Sequence, residues 1–233
     1  MTYPLADPVV QRSTQLRITS TLFLSQSLFG ASTILSFTLM SVIAAHLSGT
    51  DGAAGVPPMA MLLGRAVSAY PVGWMMDRLG RRPGLCLGYL LAVIGAGLCV
   101  TSIDSGTFWG FCFGSVLMGM GRGVSEQARF VAAEVYPGER QSSVIGVIVF
   151  AGTIGAIGGP LLVDPSGALA MGLGSHAYSG PYLAAAISSL AALILTFAFL
   201  RPDPLELDSH ATLARDTSSS GRSLGSIFSK GSV

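Results

Sequence analysis

The sequence has little charge. Only 11% of its 233 residues are Asp, Glu, Lys or Arg, whereas a soluble domain has roughly 25%. Half of the residues are hydrophobic, and the mean hydropathy is positive at +0.62. This deficit of charge is typical of a chain that is solvated by lipid. The formal net charge of +1 gives no reason to expect a nucleic-acid partner.

Cysteine is scarce as well, and the sequence lacks the patterns of enzymes. The three cysteines, Cys86, Cys99 and Cys112, lie inside apolar runs, and their odd number argues against a disulfide framework. No spacing of cysteine and histidine resembles a metal site, and no G-x-x-x-x-G-K segment is present to hold a nucleotide phosphate. We therefore expect no catalysis, no metal and no bound cofactor.

Long apolar runs are the main feature that the sequence does contain. Each of six runs is near the ~20 residues that a helix needs to cross a bilayer. These runs are 18–47, 54–76, 84–103, 107–128, 142–163 and 181–200. They predict an all-α membrane protein with six transmembrane helices in a domain at 18–200.

The two ends of the chain differ from this domain. Residues 1–17 are polar, and the first apolar run is much longer than the roughly 7–15 residues of a signal-peptide core. We predict a cytoplasmic N-terminal segment at 1–17, followed by an uncleaved helix. Residues 201–233 are rich in Ser, Gly and charge, which predicts a disordered cytoplasmic tail.

The cations lie on alternate connections, which predicts the orientation in the membrane. The three connections without Lys or Arg carry Asp51, Asp104 and Asp164 instead. The other connections and both ends hold nearly all the cations, and Lys and Arg resist translocation. This asymmetry predicts that both termini are cytoplasmic, in an integral protein of the cytoplasmic (inner) membrane.

Three short motifs stand at defined places among the runs. The connection between the second and third runs has the spacing G-x-x-x-D-R-x-G-R-R, with Gly73, Asp77, Arg78, Gly80, Arg81 and Arg82. An E-x-x-P-x-x-R element follows the fourth run, with Glu134, Pro137 and Arg140. The fifth run is rich in glycine and contains Gly152, Gly155, Gly158, Gly159 and Pro160.

On these motifs, the chain resembles the N-terminal six-helix half of a major facilitator superfamily transporter. The resemblance implies two inverted three-helix repeats, with a substrate site near the membrane midplane. It implies secondary transport of a small solute, energised by the proton gradient. The glycine-rich fifth run resembles the antiporter motif of proton-coupled exporters, although Pro160 follows the glycine pair here instead of preceding it.

The family has twelve helices, which bears on the partners expected for this chain. Besides the lipid bilayer and the solute, we expect a second six-helix half, supplied by a C-terminal half or by a second copy. The alternative is a protein that does not transport, either a membrane assembly or regulatory subunit or a truncated half-transporter.

The resemblance also implies an inner gate. In the family, the cluster from Gly73 to Arg82 is taken as an inner gate and scaffold for alternating access. Its expected partners are Glu134, Glu139 and Arg140, because opposite charges at the inner ends of the helices can hold the helical hairpins together at the cytoplasmic face. Gly73 and Gly80 suit a turn, because glycine tolerates positive φ. The alternative is that these arginines only hold the connection on the cytoplasmic side.

Four charged residues within the runs are candidates for the substrate or ion path. Arg65 falls near the middle of the second run, where a charge costs at least ~2.5 kcal/mol. It could bind an anion, orient the substrate or pair with a proton-carrying acid; a structural ion pair or snorkelling is the alternative. Arg122, Glu126 and Arg129 follow i, i+4, i+7 spacing on one helix face. Glu126 is the candidate proton-coupling acid, and a structural Arg–Glu–Arg ladder is the alternative.

Overall fold

The computed structural model describes residues 8–136 and 138–201, and these residues form helices and turns without a β-strand. The predicted all-α class is confirmed. Pro137, residues 1–7 of the predicted N-terminal segment and the predicted tail beyond Arg201 lie outside the described residues. The α-helices are α1 Pro8–Thr38, α2 Met40–Ser48, α3 Val56–Leu79, α4 Arg81–Asp104, α5 Phe108–Ser125, α6 Ala128–Glu134, α7 Gly138–Leu161, α8 Val163–Gly172 and α9 Gly180–Phe199.

The number of membrane spans differs from the prediction of six. Four helical stretches of the described chain are long and apolar enough to cross a membrane: Arg12–Ser48, Arg81–Asp104, Gly138–Leu161 and Ala177–Phe199. The predicted spans 54–76 and 107–128 correspond to α3 and α5, which do not meet this standard. Charge and proline lower the hydropathy of α3, and α5 has only 18 residues, with several glycines and Arg122.

Several helices are interrupted where the sequence predicted continuity. The first predicted span consists of α1 and α2, which meet at Leu39, where the Thr38 hydroxyl bonds back to the Ile34 carbonyl at 2.7 Å. The fourth divides after Ser125, so that the chain turns before α6 begins. The predicted loop 164–180 instead contains α8.

The long helices pack in the order α7, α1, α9, α4, α5, α3 across the bundle. Polar contacts between buried hydroxyls join α1 to α9: Ser25 to Thr196 at 3.0 Å and Ser32 to Ser189 at 2.8 Å. Hydroxyl groups of this kind hold helices together in lipid, where apolar side chains gain nothing by leaving the solvent.

Two helix crossings depend on small residues. In the α3–α5 crossing, a Cβ added to Gly64 would overlap the Val116 carbonyl, and one added to Gly119 would overlap the Met61 carbonyl. In the α1–α7 crossing, Gly155 faces the Ser27 carbonyl in the same way, and a Cβ on Gly30 would lie 2.7 Å from the Gly152 oxygen. Only glycine allows backbones to approach this closely.

Candidate functional site

Two clusters of charge lie on these helices, and the first is at the junction of α3 and α4. Gly80 separates the two helices with φ of +107°, a conformation that favours glycine. Gly73 lies inside α3 and makes no close approach to another helix, so its predicted place in the turn is wrong. The sharp turn at Gly80 puts Asp77 and Arg81 on facing ends of consecutive helices.

Arg81 is the centre of this first cluster. Its Nε and Nη2 donate to the two carboxylate oxygens of Glu134 at 3.0 and 2.8 Å, and Nη1 donates to Asp77 Oδ1 at 2.6 Å. The Arg81 side chain is only 17% exposed, whereas that of Asp77 is 70% exposed. We call Asp77, Arg81 and Glu134 the Arg81 cluster; it joins the start of α4 to the end of α6 through a paired, planar contact.

The neighbouring arginines bind elsewhere. The Arg78 guanidinium lies over the Trp74 ring, 4.3 Å from its centroid. Arg82 donates to the Phe197 carbonyl and lies over the ring of that residue at 4.6 Å, which links α4 to the end of α9. The i, i+4 spacing of Trp74 and Arg78 could have indicated their contact, whereas no sequence signal connects Arg82 with Phe197.

Glu139 and Arg140 lie in the first turn of α7 and make no ion pair with any residue in the described ranges, so the structure does not bring them to the Arg81 cluster. Sequence reasoning missed two contacts near Glu134. Gln15 donates to the Val135 carbonyl at 2.8 Å, and the Thr19 and Tyr136 hydroxyls are 3.0 Å apart. These bonds fasten the beginning of α1 to the turn that follows α6.

The second cluster connects α3 with the end of α5. Arg65 Nη2 lies 2.8 Å from Glu126 Oε2, and Arg122 Nε lies 3.5 Å from Glu126 Oε1. We call Arg65, Arg122 and Glu126 the Arg65 cluster. Their side chains are 42%, 35% and 27% exposed within the described chain. The i, i+4 spacing predicted the contact of Arg122 with Glu126, but not that of Arg65, which comes from another helix.

Arg129 is separated from the Arg65 cluster by the break between α5 and α6. It lies in α6, over the Phe130 ring at 4.9 Å, and its Nε is buried without a hydrogen-bond partner in the part of the chain that is described. The predicted single face with i, i+4, i+7 spacing is therefore wrong for Arg129, because the chain turns at Glu126 and Gln127.

The glycine residues of α7 have unequal surroundings. Gly155 and Gly159 pack against α1, and Gly152 has the Gln26 side chain 4.0 Å from its added Cβ. Gly158 has no atom this close, and Pro160 lies exposed in the last turn of the helix. Close packing on α1 thus explains two of the four glycines.

Comparisons with known proteins place the chain among transporters. The family model described as Major Facilitator Superfamily matches residues 22–232. The protein named uncharacterized MFS-type transporter YdeG of Bacillus subtilis is 32% identical over 202 residues, which are 86% of this chain and 47% of that protein. Riboflavin transporter RfnT of Brucella anthropi is 27% identical over 207 residues, 89% of this chain and 50% of that protein. The chain spans about half the length of these relatives.

Solved structures show the same fold. The human organic anion transporter MFSD10 matches with a TM-score of 0.63 at 21% identity, over 83% of this chain and 49% of that one. A double tryptophan mutant of XylE matches with a TM-score of 0.63 at 20% identity, over 79% and 44%. At these identities the structural likeness shows the fold alone.

Proposed function

The chain belongs to the major facilitator superfamily, and on this basis we propose that it takes part in secondary active transport of a small solute across a membrane. The finer proposal is proton-coupled export. The family and the apolar helices make the chain part of an integral membrane protein. We place it in the cytoplasmic membrane, with the Arg81 cluster on the cytoplasmic side because cations resist translocation.

The observation that carries this proposal is the Arg65 cluster. Arg65 is the tenth residue of α3, which is about 15 Å along the helix at 1.5 Å per residue. Ionisable side chains at such depth are costly in lipid and line substrate or ion paths. The partial exposure of all three side chains supports a path along the α3–α5 face.

We propose that the chain acts as one half of a twelve-helix unit. The relatives are about twice as long as this chain, and the face with Arg65 needs a covering that is not lipid. The covering half is either a C-terminal continuation or a second copy of this chain. Non-transporting membrane assembly is the alternative that the experiment below separates.

Two inverted repeats are part of the proposal. In chain order the six long helices are α1, α3, α4, α5, α7 and α9. When α1, α3 and α4 are exchanged in turn for α5, α7 and α9, the α3–α5 contact becomes the α7–α1 contact, and the α4–α5 contact becomes the α9–α1 contact. The glycines follow the same exchange: each helix offers a glycine and, three residues before it, the carbonyl that faces the partner's glycine. Matching pairs of contacts support a repeat of three helices.

The Arg81 cluster fits a role as the inner gate. Its bidentate contact holds α4 to α6, and Thr19 and Gln15 fasten α1 to the next turn. Breaking this group of contacts frees the ends of three helices together. A network of ion pairs can bias a two-state equilibrium between inward-open and outward-open forms.

Proton coupling is assigned to Glu126, and export to the glycine-rich α7. Everted membrane vesicles that contain the complete polypeptide test both points. Riboflavin, which RfnT is named for transporting, and benzenesulfonate, an organic anion such as MFSD10 is named for transporting, serve as solutes. We expect uptake into vesicles with an acid interior, accompanied by release of protons measured with a trapped pH dye.

Two variants separate coupling from transport. Glu126→Gln should keep the exchange of labelled for unlabelled solute but lose the proton signal, because the amide cannot take up and release a proton as a carboxylate does. Arg12→Gln, an exposed cation of α1, should change neither reading. Solute uptake that does not depend on the proton gradient would disprove coupling, and the absence of any solute flux would favour the non-transporting alternative.

A further inference from the structure

The two charged clusters have opposite imbalances. In the Arg81 cluster, one guanidinium is shared by two carboxylates. In the Arg65 cluster, one carboxylate is shared by two guanidinium groups, which leaves one positive charge uncompensated within the cluster. Such an excess is costly in a medium of low dielectric constant unless an anion balances it.

From this imbalance we infer that the Arg65 cluster binds the anionic group of the transported solute: a carboxylate, sulfonate or phosphonate held between Arg65 and Arg122. The inference rests on the proposed transport function and names its substrate class. With the anion bound, two positive and two negative charges meet, and the cluster becomes neutral.

The geometry of Arg122 supports this assignment. Its Nε is 3.5 Å from Glu126, which is longer than the roughly 2.7–3.2 Å of a normal hydrogen bond from nitrogen to oxygen. Arg65, by contrast, holds the same carboxylate at 2.8 Å. Glu126 therefore lies at hydrogen-bond distance from Arg65 but not from Arg122, and Arg122 has donors left for another oxyanion.

The exposure of the cluster supports it too. Within the described chain the Arg65 and Arg122 side chains are 42% and 35% exposed, which places them on the face that the proposed second half would cover. A guanidinium fork matches the paired oxygens of a carboxylate, sulfonate or phosphonate, so that two such forks can grip one anion. A cation is repelled at this place by the same excess charge.

The matching crossing on the other side of the bundle has no such cluster among the described residues. The described part of α1 and α7 brings no charged side chain into the middle of their own crossing. The anionic preference is thus confined to the α3–α5 side of the bundle.

A matched pair of ligands tests the inference on the purified complete polypeptide. Benzenesulfonate is permanently charged, and benzenesulfonamide has the same ring and a similar shape without the charge. We expect benzenesulfonate, but not the sulfonamide, to raise the midpoint of thermal unfolding as its concentration increases, since a ligand of the native state stabilises it.

Variants assign the effect to the cluster. Arg65→Gln should weaken benzenesulfonate binding about tenfold or more, and Arg65→Lys should weaken it less, because the charge remains while the fork is lost. Glu126→Gln should tighten binding, because the competing carboxylate is gone; a purely structural ion pair predicts no such gain. Arg12→Gln should bind as the unchanged protein does.

Each outcome decides one claim. Equal binding of the two ligands, no binding of benzenesulfonate, or equal binding by Arg65→Gln and the unchanged protein would overturn the anion site. If riboflavin crosses the vesicle membrane while benzenesulfonate neither binds nor competes, the transport function stands and the anion site fails. If benzenesulfonate binds through Arg65 but no solute crosses, the anion site stands and the transport function fails.

Discussion

The α1–α7 and α3–α5 crossings share one backbone design and differ in chemistry. In both, the glycine of each helix faces a backbone carbonyl of the other helix, and that carbonyl lies three residues before the other helix's own glycine. The glycines are Gly30 and Gly155 in one crossing, and Gly64 and Gly119 in the other. The residue after Gly64 is Arg65, which pairs with Glu126, whereas the residue after Gly155 is the half-buried Ala156.

The two crossings separate the contribution of backbone packing from that of charge. Glycine spacing sets how closely two helices approach, and it is the same in both crossings because backbone sterics are the same. The charges are not needed for the approach, since the α1–α7 crossing forms without them. The Arg65 cluster is therefore present at one crossing only, on a backbone arrangement that both crossings share.

The largest effect should come from giving the uncharged crossing a charge. Ala156→Arg puts a guanidinium beside Gly155 with no carboxylate across the crossing, at a cost of at least ~2.5 kcal/mol. We expect a large loss of protein from the membrane fraction. Ala156→Leu controls for size, and Gln141→Arg, in the exposed first turn of α7, controls for charge. Normal insertion of Ala156→Arg would mean that the two crossings have equivalent surroundings.

The next effect tests whether the two crossings are equally close-packed. Gly119→Ala and Gly155→Ala should each lower the free energy of unfolding by about 1–3 kcal/mol, because the new methyl group overlaps a carbonyl of the facing helix. Thermal unfolding in detergent measures this. Gly97→Ala and Gly146→Ala, which have no atom within 4 Å of the added Cβ, should be neutral or slightly stabilising. A loss of stability for only one of the two variants would show that the two crossings are not equally close-packed.

A smaller effect concerns the ion pair of the charged crossing. The coupling energy between Arg65→Gln and Glu126→Gln, from a double-mutant cycle of unfolding free energies, should be about 1 kcal/mol or less, since both side chains are partly exposed. A coupling several times larger would indicate a structural bridge and would weaken its assignment to solute binding.

The smallest effect concerns the polar contact of the uncharged crossing. Ser27 Oγ donates to the Ala151 carbonyl at 2.9 Å. Its loss in Ser27→Ala should cost about 0.6 kcal/mol, the mean for hydrogen bonds between membrane helices. Ser20→Ala, whose hydroxyl bonds only within its own helix among the described contacts, is the matched control. A cost larger than the coupling energy between Arg65 and Glu126 would mean that the hydrogen bond of the uncharged crossing contributes more to stability than the ion pair of the charged crossing.

Local patterns predicted a good part of this molecule. The spacing G-x-x-x-D-R-x-G-R-R indicated the turn at Gly80, because a positive φ requires glycine, and the i, i+4 rule indicated that Arg122 meets Glu126. The predicted pairing of this motif's charges with Glu134 needed more than local spacing: it came from the placement of opposite charges at the inner ends of the helices. The structure has it as a bidentate pair between Arg81 and Glu134.

Other features were out of reach of local patterns. The break at Glu126 and Gln127 moves Arg129 away from its predicted neighbours, and no proline announces it. Length and apolarity predicted six equivalent spans, but α3 and α5 carry glycine and charge that helix packing accommodates and hydropathy penalises. Arg78 and Arg82 pair with aromatic residues, although opposite charge was the simpler expectation.

Composition and spacing within a few residues were enough to predict the helical class, the family and the contact of Arg122 with Glu126. The folded structure is needed to see that Arg65 meets Glu126, that Arg82 reaches Phe197 and that the two glycine crossings match. Such contacts join residues far apart in the chain, and they follow from the packing of whole helices, which no local spacing encodes.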